Sequence, residues 1–143
     1  MAERRYALIG HSHGSSSITY AETAAETAAG ITPTDTQYPE GNVLRYGADP
    51  TGVSDSSSAF GDVMTAGGFS IYIPSGTYLV SPQSVDATNH ILIGSNTTIY
   101  CEPGVTVEIP LAAGSVGSPP QANRGAFRFR DVSNCVVYGN NSD

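Results

Sequence analysis

The stretch Asn42-Val-Leu-Arg-Tyr-Gly-Ala-Asp-Pro-Thr-Gly-Val-Ser-Asp-Ser-Ser-Ser-Ala-Phe60, with Ile71-Tyr-Ile-Pro-Ser-Gly-Thr-Tyr-Leu-Val80 behind it, decides how the 143-residue chain is read. Thr51-Gly52 makes a turn. Residues 54–64 read as a short helix with Ser54 or Asp55 as N-cap, because those side-chain oxygens accept from the first orphan N–H groups. Phe60, Val63 and Met64 are its core-facing residues. Beyond it, short β-branched and aromatic runs separated by Gly, Pro, Asn and Ser read as strands at 69–73, 77–80, 91–93, 97–101, 105–109, 126–130 and 135–138. Ser95-Asn96-Thr-Thr-Ile99-Tyr100 resembles Ser133-Asn134-Cys-Val136-Val137-Tyr138 at an offset of 38 residues. The Gly-, Ser- and Pro-rich insert 111–123 accounts for that length as a loop thrown out from a corner. Asn96 and Asn134 either stack in an interior polar ladder or start turns, since asparagine serves both purposes.

This wording is similar to the first turn of the pectate-lyase-like family found in phage tailspikes and in some polysaccharide-degrading enzymes. The resemblance is strongest over residues 21–80. It implies a mainly β fold: the start of a right-handed parallel β-helix, a solenoid, with a short capping helix, preceded by an N-terminal arm with a short Ala-rich helix. A solenoid buries its core only by stacking about three or more repeats between caps, so the chain is expected to be the front of something longer. Residues 1–41 would be a virion-attachment arm and neck, and residues 42–143 the first coils. The helix at 54–64 would plug the open end of the core. Where relatives often carry Asp-Asp-Thr before that helix, this chain has Ser54-Asp-Ser-Ser-Ser58, which weakens any claim to acidic chemistry there.

Composition suits short strands and tight turns: 39% hydrophobic, 13% charged, with 16 Gly, 9 Pro and no Trp. The net charge of −7 argues against nucleic acid as a partner, because binding a polyanion needs a dense basic surface. There is no lysine, and Arg4 with Arg5, and Arg124 with Arg128 and Arg130, are expected to pair with carboxylates of a neighbouring subunit. Cys101 and Cys135 sit in apolar runs and read as two buried thiols. The apolar stretch after Arg5 is too brief for a signal segment or a membrane span, so a soluble protein made in a cytoplasm is expected.

Residues 4–14 read as a short strand running into a Gly-rich turn. The serines 15–17 would cap a helix through the twice-repeated Ala-Glu-Thr-Ala, with Ile18, Ala21, Ala25 and Ala28 as a narrow stripe and Gly30 as its left-handed end. So weak a stripe needs packing on other parts of the protein or on symmetry-related copies. Residues 31–41, with two prolines and no period, read as an extended connector. In phage tail proteins a similar Ala-rich segment, Thr-Pro connector and Pro-Gly-Asn-Val-like sequence often come in this order.

No residue is assigned a catalytic role. A glycosidase needs two carboxylates about 5–10 Å apart, and spacing singles out no pair among Asp49, Asp55, Asp62, Asp86, Glu102, Glu108 and Asp131. Asp49 and Asp55 read as turn former and helix cap, Glu102 as a turn residue and Glu108 as outward-facing. His11-Ser12-His13 puts two imidazoles on one face of an extended strand. Across a trimer axis they would give six nitrogens suited to iron, nickel or zinc, an arrangement that resembles metal sites in some trimeric phage tail fibres. The alternative is a Gly/Ser-flanked turn with two solvated histidines. His90 reads as a turn residue. Outward-facing members of Tyr72, Tyr78, Tyr100 and Tyr138 suit either sugar stacking or subunit packing.

The resemblance implies a phage virion structural protein: the particle-proximal part of a trimeric tailspike or tail fibre, assembled in the host cytoplasm. Residues 1–41 would dock on tail, baseplate or hub proteins, and a downstream part would bind host cell-surface polysaccharide, with no membrane insertion. The alternative is a polysaccharide lyase or glycoside hydrolase whose catalytic coils lie beyond this chain.

Overall fold

The computed structural model describes residues 18–66, 70–81, 91–109, 127–129 and 131–139. In chain order these form α1 (Ala24–Ala29), a 3-10 turn (Val43–Tyr46), β1 (Thr51–Asp55), α2 (Ser57–Ala66), β2 (Ser70–Ile73), β3 (Gly76–Leu79), β4 (Ile91–Ile93), β5 (Thr98–Cys101), β6 (Val105–Glu108), β7 (Phe127–Phe129) and β8 (Val136–Gly139). Every strand pairing among them is parallel, in three sheets ordered β1-β3-β6, β2-β5-β8 and β4-β7. From β2 onward the chain visits the sheets in a fixed rotation. β2, β3 and β4 make one circuit, β5, β6 and β7 lie beside them in the same order, and β8 returns to β5. The arrangement is compatible with the start of the β-helix that the sequence resembles.

Alternation along each strand sets which side chains are enclosed. Ile71 and Ile73 are buried and Tyr72 is exposed; Ile91 and Ile93 are buried and Leu92 is exposed. In-register pairing stacks like on like, Ile71 beside Ile99 and Ile91 beside Phe127. α2 closes one end with Ala59, Phe60, Val63 and Ala66, and Met64 packs beside them half-buried. The Phe60 ring meets Tyr78 edge-on with centroids 5.7 Å apart, and lies 5.7 Å from Phe127. Enclosing a ring of this size is worth about 2–3 kcal/mol by the apolar area it removes from water.

Two helix boundaries differ from expectation. α2 begins at Ser57 rather than Ser54, because residues 51–55 are drawn into β1, whose partner β3 lies far off in sequence. Asp55 still serves the helix start: its Oδ1 accepts the Ser57 N–H at 2.9 Å and the Ser57 hydroxyl at 2.5 Å. The Ala-rich helix is only Ala24–Ala29 and starts from Thr23, not from the serines, which lie outside the described residues along with the expected strand at 4–14. Thr23 and Glu26 form a capping box, each satisfying the other's backbone N–H, and Gly30 ends the helix at φ 69° as expected. The anticipated stripe is not what this helix buries: Ile18, Ala21, Ala25 and Ala28 are exposed, and the buried residue is Glu26.

Candidate functional site

Glu26 enters a cluster that the sequence reading did not anticipate. Arg45, in the 3-10 turn, and Glu26 are both fully buried. The guanidinium donates from Nε to Glu26 Oε1 at 2.6 Å and from Nη2 to Oε2 at 2.9 Å, the two-pronged geometry that suits arginine to a carboxylate. Its remaining donors reach the carbonyls of Tyr20 at 3.3 Å, Tyr38 at 2.9 Å and Ala21 at 2.9 Å, so all five N–H groups are used. The Tyr46 hydroxyl donates to Glu26 Oε1 at 2.8 Å, and the Thr23 N–H to Oε2 at 2.8 Å. The hydrogen bonds from Arg45 dominate and hold the Glu26 carboxyl down at about 2, against the burial that opposes its charge. The same bonds raise Arg45, while burial and then the neighbouring carboxylate push the Tyr46 phenol up. The cluster clasps residues 20–38 to the start of the sheets; Thr34 and Asp35 N–H groups add bonds to the Arg45 carbonyl at 2.8 and 3.0 Å.

The second feature lies on the outside. Tyr72 of β2, Tyr100 of β5 and Tyr138 of β8 occupy one register position on neighbouring strands, at 39%, 45% and 53% exposure. Successive outward positions of parallel strands recur at the strand spacing, which puts the three phenols in a column. Tyr100 and Tyr138 stack with centroids 5.1 Å apart and planes 11° from parallel. Tyr72 donates its hydroxyl to Glu102, and the Ser75 N–H holds the other Glu102 oxygen at 2.8 Å. Burial first, and then that carboxylate, push the Tyr72 phenol up to about 12. Tyr78 takes no part, being buried with its hydroxyl on the Pro74 carbonyl at 2.9 Å.

At a neighbouring corner Asn96 and Asn134 take turn conformations, as one of the two expectations had it, and bond to each other outside the core. Each adopts the left-handed conformation, at φ 61° and 56°, and the Asn134 Nδ2 donates to Asn96 Oδ1 at 3.1 Å across 38 residues. Both are exposed, so this rung lies on the surface rather than in an interior ladder. The cysteines are half-buried rather than buried: Cys101 packs against the core with its thiol pushed up by burial, and the Cys135 thiol lies 3.1 Å from the Gly94 carbonyl.

Among the remaining carboxylates, Asp49 holds a turn. Asp49 accepts from the Thr51 hydroxyl at 2.6 Å, the Thr51 N–H at 2.9 Å and the Ser54 N–H at 2.7 Å, which depress its titration strongly. Asp62 in α2 is half-buried and shifted upward by that burial. Glu108 is exposed on β6 as expected, and Asp131 sits in a left-handed turn at φ 53°. His11, His13, Asp86 and His90 lie outside the described residues. Among the described residues no three His, Cys, Asp or Glu side chains group as a metal site, and no helix is long and apolar enough to cross a membrane.

No curated protein and no solved structure matches the chain. A family profile does match, over residues 41–140: rhamnogalacturonase A/epimerase, pectate lyase-like. The match begins just before the 3-10 turn that carries Arg45 and takes in all three parallel sheets. The chain therefore belongs to the pectate lyase-like rhamnogalacturonase A/epimerase family.

Proposed function

We propose that this chain is the particle-proximal part of a phage tailspike or tail fibre, a homotrimer in the virion. Residues 42–143 form the first coils of a right-handed parallel β-helix, and residues 1–41 attach it to tail, baseplate or hub proteins. Membership of a family consistent with polysaccharide-acting proteins supports a glycan-directed role for the whole. The observation that carries the reading is the Arg45–Glu26 clasp, which ties residues 20–38 to the first coil through buried, fully bonded contacts. A joint of that kind transmits position and load from an anchored arm to the coils. His11 and His13, carried on the same arm, would meet across the trimer axis as a site for iron, nickel or zinc.

The test keeps the clasp intact. A protein lacking residues 1–17 retains Glu26 and Arg45, and is expected to fold and to be missing from assembled particles. Particles that still carry it would sink the attachment role. Native mass measurement should return a trimer; a single subunit would overturn that part. The family description also supports a second reading, a polysaccharide lyase or hydrolase with its catalytic coils elsewhere in the protein, which release of oligosaccharides by the particle-borne protein would favour.

A further inference from the structure

We infer that the stacked pair Tyr100 and Tyr138 is an oxidative cross-linking site, where a one-electron oxidant joins the two rings into a dityrosine bridge between successive circuits of the strand stack. The inference goes beyond the attachment role and stands whether or not that role holds. Register, access and the free state of both hydroxyls carry it.

Tyr100 on β5 and Tyr138 on β8 are direct partners in a parallel pair, so their backbones are held about one strand spacing, ~4.8 Å, apart. Both side chains leave their strands on the same face, which brings the phenol ends together. The rings lie face to face, with centroids 5.1 Å apart and planes 11° from parallel. Phenoxyl radicals couple at the carbons next to the hydroxyl-bearing carbon, and this stack sets those carbons of one ring against the other ring. A swing about the side-chain bonds completes the approach. At 45% and 53% exposure the two residues make that swing into solvent rather than into packed core, and an oxidant in solution reaches them.

The other tyrosines of the strands and the clasp are committed elsewhere. Tyr72 donates to Glu102, Tyr46 to Glu26 and Tyr78 to the Pro74 carbonyl, and the last two are buried. Among the described residues no hydrogen bond engages the Tyr100 or the Tyr138 hydroxyl, so neither gives up a partner on reacting. The step balances with two equivalents of the oxidant. Each phenol gives up one electron to it and its hydroxyl proton to water. The two radicals then form one C–C bond, and the hydrogen on each newly bonded carbon leaves as a proton while a proton returns to each oxygen. The net loss is two electrons, which reduce the oxidant, and two protons. The product ties β8, whose inward Val137 is 54% exposed, to β5, whose Ile99 is 2% exposed. It therefore staples the less enclosed end of the stack to the enclosed part, and closing that loop removes freedom from the unfolded chain.

The experiment is brief illumination of the 143-residue chain with ruthenium tris-bipyridyl and persulfate, which generate a one-electron oxidant, followed by denaturing mass analysis and peptide mapping. The expected product has the mass of one chain less two hydrogens, carries dityrosine fluorescence, and yields a joined pair of peptides containing Tyr100 and Tyr138. Its yield should not depend on protein concentration, and its denaturation midpoint should lie above that of the untreated chain. Tyr138→Phe keeps the ring and removes the phenol, so it should fold and abolish this product, as should Tyr100→Phe. Tyr72→Phe should leave the yield unchanged. The inference is overturned if other tyrosines are the pair joined, if the same product forms as readily in denaturant, or if it survives Tyr138→Phe. Products that join two chains and grow with concentration would also overturn it, and would assign the pair to contact between copies.

Discussion

The two ends of the strand stack treat the same kind of residue in opposite ways. Ile71, Ile99 and Val137 share one inward register position on β2, β5 and β8; the first two are at most 2% exposed and Val137 is 54% exposed. Ile93 and Phe129, paired on β4 and β7, repeat the contrast at 2% and 47%. What differs is what lies over each end: α2 closes the first circuit and reaches β7 at Phe127, whereas among the described residues no helix encloses Phe129 or Val137. Parallel pairing alone lines apolar side chains into columns; a cap or a neighbouring circuit is needed to remove them from water.

The largest break in this comparison should come from the clasp. Glu26→Ala leaves the Arg45 guanidinium buried without its counter-charge, which typically costs about 3–5 kcal/mol, read as a lowered denaturation midpoint with unchanged slope. The same bond gives an acid signature. The Glu26 carboxyl is depressed from its ordinary 4.5 to about 2, so its contribution is complete above the ordinary value and is lost as pH falls toward 2. Stability of the parent chain should therefore fall through that window, and Glu26→Gln should remove this part of the fall. A Gln variant that tracks the parent throughout would show that the pair contributes nothing.

Phe60→Ala comes next, at roughly 3 kcal/mol, because the ring touches both Tyr78 and Phe127 and leaves a cavity under the cap. Thermal melts should place it close to the clasp variants. A loss under about 1 kcal/mol would mean that α2 covers the core without being needed to close it.

The strands were legible because period-two alternation of Ile, Val and Tyr survives in short runs, and each was placed within about a residue of its observed ends. Residues 51–55 were not, since Thr-Gly-Val-Ser-Asp carries no alternation and becomes a strand only by pairing with β3. The helix through the alanine repeat was overextended for a related reason. Alanine content suggests length, while the Thr23-x-x-Glu26 box that sets the start lies inside the repeat and is not among the caps read from the sequence. The clasp itself was out of reach, because nothing local marks residues 19 apart as a buried pair. The tyrosines were recognised as strand residues, yet their alignment in one column depends on register across 28 and then 38 positions, from Tyr72 to Tyr100 to Tyr138.

Gly76 tests the closeness of the first strand pair. At φ 151° its missing side chain lets the backbone pass Pro50, and a Cβ would fall 2.7 Å from the Pro50 carbonyl oxygen. Gly76→Ala must push β3 away from the segment leading into β1, at an expected cost of about 1–3 kcal/mol. Loss of the Thr77 N–H bond to the Pro50 carbonyl should appear as faster amide exchange at Thr77 with β5 and β6 unaffected.

The smallest effects sharpen the comparison most, because they hold the register column fixed and change only the cover. Ile99→Val removes one methyl from an enclosed site and should cost about 1 kcal/mol. Val137→Ala removes more, two methyls from the same column, but from a half-exposed site, and should stay within about 0.5 kcal/mol. If deletion of hydrocarbon in itself governed the outcome, Val137→Ala would be the worse variant. The reverse ranking follows when enclosure decides, since a side chain already in contact with water gives back little transfer free energy and leaves no void. Equal losses would mean that Val137 is covered in solution, and would move the boundary of the closed core out to β8.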